Sequence, residues 1–201
     1  DHRDLHSFPT RRSSDLEPVW ETILDIDALS TAEGKNWVYK GVTCLPPEET
    51  RCLVSLSDGG KDAVTVREFD RATRTFVADG FILPESKGGA SWIDENTLLV
   101  SRDFGEGTLT DSGYPRTVRL MRRGQSIDQA TTIFEGQQAD VSVSGYTLRD
   151  ADGVVKATLI NRGINFYEGE TWRLNADGTT TQLQLPADRK STRLNSSHVL
   201  I

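Results

Sequence analysis

The residues best able to carry out chemistry unaided are sparsely placed in this 201-residue chain. Its three histidines, His2, His6 and His198, all lie close to the ends, and none falls between positions 17 and 187. A serine or cysteine nucleophile near neutral pH needs an imidazole to accept its proton, so no catalytic residue of that kind is assigned. The Gly-x-Ser-x-Gly elbow of serine hydrolases is also missing: Gly89-Ala90-Ser91 continues into Trp92 and Ile93. Cys44 and Cys52 are the only soft metal ligands, too few for a zinc site. They flank a seven-residue loop and could face each other across neighbouring strands, either as a disulfide or as two buried thiols.

Carboxylates are more abundant. Asp103, Glu106 and Asp111 share a Gly-rich stretch, 102–116, long enough to line a cleft. Two of them held at a suitable separation could perform glycoside hydrolysis, yet the Asp and Gly needed to turn a loop account for them more simply. Asp150-Ala151-Asp152-Gly153 hints at calcium but lacks the further oxygen ligands of a Ca²⁺ loop, and a hairpin turn suffices. Trp37, Trp92 and Trp172 lie in strand-like runs, where packing between sheets explains them better than ligand stacking. No metal and no cofactor are expected.

The elements that would position these residues are almost all strands. Apolar residues alternate with polar ones at a period of two, with β-branched and aromatic types enriched. Such runs occupy 20–26, 36–40, 51–56, 64–69, 75–77, 91–94, 97–101, 117–121, 132–134, 141–148, 154–160, 171–174 and 181–185. Turns rich in Gly, Asp and Asn separate them at 58–62, 95–96, 150–153 and 175–178. One short helix is expected at 27–34, too small to organise a domain. Sets of about four strands recur roughly every 50 residues, the spacing of propeller blades, with a sandwich as the alternative on pattern alone. The expected fold class is all-β: a partial β-propeller of about three four-stranded antiparallel blades. Loops at one end of a propeller face its partner, which marks Tyr114 and Arg116 as candidate substrate or interdomain contacts.

The ends differ from the middle. Residues 1–16 and 188–201 carry no periodic apolar pattern and resemble translated sequencing adapters, so 17–187 is read as the biological domain. Setting aside six basic and four acidic tail residues from totals of 23 and 30 leaves that domain at net charge −9. An acidic surface without a basic run longer than Arg122-Arg123 disfavours nucleic acid. No apolar stretch approaches the roughly 20 residues that cross a bilayer, so no membrane partner is expected. The compartment, cytoplasmic or periplasmic, is left open.

Between positions 36 and 116 a series of segments occurs in a particular order and spacing. It comprises Asn36-Trp37-Val38-Tyr39-Lys40-Gly41, Cys44-Leu45-Pro46-Pro47 and Arg51-Cys52-Leu53-Val54-Ser55-Leu56-Ser57-Asp58-Gly59-Gly60. Asp62-Ala63, Val66-Arg67-Glu68-Phe69-Asp70, Gly80-Phe81, Leu83-Pro84-Glu85 and Ser91-Trp92-Ile93-Asp94 follow. Leu109-Thr110-Asp111-Ser112-Gly113-Tyr114-Pro115-Arg116 closes it. Together they resemble the N-terminal β-propeller of the prolyl oligopeptidase family of serine peptidases. The resemblance implies a seven-bladed ring covering a C-terminal α/β-hydrolase domain that holds the catalytic Ser, Asp and His. It further implies a lid that sieves short peptides for cleavage, typically after proline. The alternative is a non-catalytic propeller that binds peptide, glycan or protein.

Overall fold

The computed structural model describes residues 21–185, so the adapter-like segments 1–16 and 188–201 lie outside the described residues. Three antiparallel sheets follow one another along the chain. The first contains β1 (Trp37–Cys44), β2 (Arg51–Asp58), β3 (Val64–Asp70), β4 (Thr75–Phe76) and β5 (Ile82–Ser86). The second is the meander β6 (Gly89–Asp94), β7 (Thr97–Ser101), β8 (Thr117–Arg122) and β9 (Thr131–Glu135). The third is β10 (Ser142–Arg149), β11 (Val155–Gly163), β12 (Gly169–Leu174) and β13 (Thr180–Gln182). This is a partial β-propeller of three blades, as the strand period and its grouping predict.

Two local expectations need correction. The alternating run 20–26 does not form a strand over residues 21–25, and Ile26 opens the helix α1 (Ile26–Glu33). Asp25 decides this: its carboxylate accepts the Ala28 N–H at 2.9 Å as an N-cap, and Gly34 ends the helix at φ 63°. Leu24, Ile26 and Leu29 then pack on Val54, Leu56 and Phe69 of the first sheet. The second correction is an addition, since β5 has no counterpart among the expected strands. It continues the outer strand of the first blade after a break at 77–81. Across that break the Glu68 N–H still donates to Phe81 O at 2.9 Å, and the Val77 N–H donates to Glu68 O at 3.0 Å.

Cys44 and Cys52 are register partners on β1 and β2 and are joined by a disulfide, with their Cα atoms 3.9 Å apart. The alternative of two free thiols is therefore not the one realised.

The sheets stack face to face, and the strand period explains how. On β7, Leu98 and Val100 point to the first sheet, where they meet Leu53, Val66 and Leu83 together with Trp92 of their own sheet. Leu99 points the other way, to Val118, Val143 and Ile160. Each such side chain contributes roughly 1.5–3 kcal/mol by leaving water. Gly145 on β10 permits the second seam to close, because a Cβ there would lie 2.4 Å from Leu99 Cδ2.

A charged pair bridges the first seam. Val66 and Glu68 share a face of β3, so Glu68 is carried into the interface and is only 1% exposed. Its carboxylate accepts the Phe81 N–H at 2.9 Å and two bonds from Arg123 of the second blade at 2.8 and 3.1 Å, with Arg51 at 3.4 Å. Arg123 also lies over the Phe81 ring, 4.7 Å from its centroid. Removing one partner from a buried pair leaves the other charge uncompensated. Arg123→Ala is expected to lower stability by about 3 kcal/mol, the smaller end of the usual cost because Arg51 remains. Urea unfolding checks this, and a loss below about 1 kcal/mol contradicts it.

Candidate functional site

Because each sheet is a simple meander, the turns between its second and third strands emerge at the same end as the linkers to the next sheet. That end carries the long loop 102–116, the linker 136–141 and the turn 164–168. The loop is laced to the linker by main-chain and side-chain bonds. The Asp111 N–H donates to Gln138 O at 2.9 Å, the Thr110 hydroxyl to Val141 O at 3.2 Å, and the Gln138 side-chain amide to Leu109 O at 3.2 Å. The Val143 N–H donates to Pro115 O at 2.7 Å, tying the loop to the third blade.

Arg116 is the knot in this lacing. Its Nε donates to Gly107 O at 2.9 Å, its Nη1 donates to Gly136 O at 3.0 Å, and Nη1 pairs with Glu135 at 2.7 Å. The guanidinium thus holds its own loop against the linker. Tyr114 is 41% exposed, with the Lys87 ammonium 4.7 Å from its ring centroid. It is the more available of the two candidate contact residues.

The three loop carboxylates do not converge. Asp103 accepts the Gly105 N–H at 2.8 Å and the Thr108 hydroxyl at 3.3 Å, which is turn chemistry. No group of three or more His, Cys, Asp or Glu side chains able to hold a metal occurs among the described residues. Asp150 likewise organises its own turn, accepting the Asp152 and Val154 N–H groups at 3.1 and 2.9 Å and pairing with Lys156 at 2.7 Å. The tryptophans serve packing: Trp92 meets Phe81 edge-on at 5.7 Å in the first seam, and Trp172 meets Phe134 at 5.2 Å in the second.

Residues that sequence reasoning passed over hold this end together. Asp140, 3% exposed, accepts two bonds from Arg162 at 2.7 and 3.0 Å and one from the Gln137 N–H at 2.6 Å. Arg162 reaches on to Glu170 at 3.2 Å. Arg162 holds the Asp140 carboxyl below the ordinary aspartate value, through its hydrogen bonds first and its charge second. Beyond it, the turn at 165–168 projects Phe166 and Tyr167, 92% and 94% exposed. Asn165 fixes that turn by accepting the Tyr167 and Glu168 N–H groups at 2.8 and 2.9 Å. That end is therefore a plateau of loops laced by hydrogen bonds and bearing exposed aromatics.

A separate groove of about 720 Å³ lies on the far face of the first sheet, lined by Ile23, Leu24, Tyr39, Val42, Val54 and Phe69. Its walls are mostly apolar, and the charged residues that also line it include Glu21 and the ion pair Arg71–Glu49 at 3.6 Å.

The family model for the N-terminal β-propeller domain of prolyl oligopeptidase matches residues 5–194. This chain belongs to the prolyl oligopeptidase family. It is 49% identical over 170 residues to an uncharacterized peptidase of Sinorhizobium fredii, covering 84% of this chain and 23% of the relative. It is 29% identical over 184 residues to an uncharacterized peptidase of Rickettsia prowazekii, covering 86% and 25%. Among solved structures it resembles a post-proline cleaving enzyme from Rickettsia typhi, with TM-score 0.77 and 29% identity over 86% of this chain and 26% of that one. Oligopeptidase B from Leishmania major shares the fold at TM-score 0.59 and 18% identity, over 81% of this chain and 22% of that one. The chain thus spans about a quarter of the length of the relatives it matches.

The Asp140–Arg162 pair has a pH signature. A carboxyl whose folded pKa is depressed stabilises the fold above its unfolded value, and that contribution disappears as pH falls through the folded value. Asp140→Asn should therefore cost about 2 kcal/mol at pH 7, and the gap to wild type should narrow as pH drops from about 5 toward 2. Parallel stability–pH curves for the two proteins would refute the assignment.

Proposed function

We propose that this chain is part of the gating propeller of a serine oligopeptidase that cleaves short peptides after proline. The observation that carries the reading is the match to the family's propeller across all the described residues, in a chain whose described part contains no histidine. The Rickettsia typhi structure, titled a post-proline cleaving enzyme, and the two relatives named as peptidases support the substrate class.

On this reading the catalytic Ser, Asp and His belong to an α/β-hydrolase domain encoded elsewhere in the same gene. The blades contribute selection and leave the chemistry to that domain. Stacked sheets closing into a ring leave a narrow way in, passable to a flexible short peptide and closed to a folded protein. The laced plateau around 102–116 and 136–141 would present Tyr114, and with it the loop fixed by Arg116, to the partner domain or to substrate. Rigidity there serves gating, because a wall that yields does not sieve.

The test compares the chain with the product of its full gene. The full product is expected to hydrolyse a Gly-Pro chromogenic substrate and to react with a fluorophosphonate probe, whereas the 201-residue chain does neither. Labelling of the chain itself would defeat the proposal. A full gene that adds only further blades would establish the non-catalytic binding propeller instead.

A further inference from the structure

The seam between the first two blades contains positive charge without a matching negative one. Arg102, just past β7, is wholly buried. Its Nη2 donates to the carbonyls of Val64, Pro84 and Ser86, the last two at 2.6 and 3.2 Å. Its Nε and Nη1 have no acceptor among the described residues. On β8, the partly buried Arg119 also has an Nε without an acceptor, and its guanidinium lies 4.1 Å over the Phe104 ring. Thr117, 2% exposed, has an unpartnered hydroxyl.

Register brings these groups together. Val100 pairs with Arg119, and Leu98 pairs with Met121. Leu98, Val100 and Met121 all belong to the core shared with the first sheet. Arg102 continues the Leu98–Val100 face, and Arg119 and Thr117 continue that of Met121, since alternate residues share a face. Neighbouring carboxylates are engaged elsewhere: Glu68 with Arg51 and Arg123, Glu85 with Lys61, Glu135 with Arg116, and Asp103 in its turn. Neither Arg102 nor Arg119 pairs with an acid among the described residues.

We propose that this face of the seam binds a compact inorganic anion of the size and charge of chloride, held by Arg102, Arg119 and Thr117. Three side chains that offer donors call for a ligand that only accepts. Water would satisfy some of them but would leave the wholly buried Arg102 charge without a counter-ion. Burial draws Arg102 down to about 10, so the guanidinium stays charged at neutral pH. Neither the groove on the first sheet nor one lined by Arg51, Asp79 and Arg123 has Arg102 or Arg119 in its wall, and the full burial of Arg102 favours a small ion.

Thermal unfolding of the 201-residue chain at constant ionic strength tests this, with gluconate replaced stepwise by chloride. A saturable rise in Tm of about 3–6 °C is expected at chloride tenfold above half-saturation. Arg119→Gln and Thr117→Val should lose most of that rise, and the exposed control Arg173→Gln should keep it. If Arg119→Gln does not fold, Arg119→Lys keeps the charge but loses the Nε donor, and its half-saturation should move up about tenfold. Crystals soaked in bromide should show anomalous density beside Arg102 and Arg119. No chloride dependence, an equal rise in the Arg119 and Thr117 variants, or ordinary water density at the site overturns the proposal.

Discussion

Each sheet in this molecule has two faces to remove from water, and the material available to cover them is chiefly another sheet. That constraint shapes the rest of the structure. A meander of four strands buries too little of itself to be stable alone, so its residues are chosen for the neighbour. The middle strand β7 shows the consequence: Leu98 and Val100 serve one seam, Leu99 serves the other, and all three are wholly buried. A strand exposed on one face would read apolar, polar, apolar. Thr97-Leu98-Leu99-Val100-Ser101 instead reads as a continuous apolar run, because both faces are interior.

Apolar stacking is poor at fixing how far one sheet may slide or rotate over the next, since it has little direction. Polar groups at the seams supply the direction. Glu68 reaches Arg123 across the first seam, and the Trp92 indole donates to Thr43 O at 3.0 Å in the same interface. Across the second seam, Arg149 donates to the carbonyls of Trp92 and Ile93 at 2.8 and 3.0 Å. Gly153, at φ 80°, brings the third blade's turn against the cis Pro46-Pro47 loop of the first blade, where a Cβ would meet Pro46 Cβ at 2.9 Å. Such bonds add little net energy, but leaving any of them unmade is costly. They penalise wrong alignments more than they reward the right one.

Legibility in the sequence followed the same division. The strands were readable because a period of two is a local property, and so were the turns, where Gly59, Gly60, Gly153 and Gly178 take positive φ as their contexts demand. The helix appeared one residue from its expected start because Asp25 and Gly34 are local signals too. What escaped was non-local. The strand β5 exists only because β3 has an unfilled edge beyond β4, a fact about pairing between distant residues. Arg162 lies 22 positions from Asp140, Ser86 16 from Arg102, and Arg123 55 from Glu68. One trace was nonetheless visible: Glu68 shares the Val66 face, and a charge at a core position signals a buried partner. Tyr114 and Arg116 were read from loop position, which gave their location at one end but not that Arg116 is bound within its own loop.

Apart from Arg102, Arg119 and Thr117, polar groups of the candidate site near the interior are bonded to the protein itself. Arg116 holds two carbonyls and a carboxylate, Asp140 holds three donors, and Asp103 holds its turn. A reaction centre needs the opposite, groups left poised with unused donors, acceptors or shifted acidity aimed at a shared point. The plateau instead offers exposed aromatic surface on a backbone fixed from behind, which is how contact surfaces gain area at low entropic cost. Unused donors do occur at Arg102, Arg119 and Thr117, but they face the seam between blades, whereas Tyr114, Phe166 and Tyr167 are exposed.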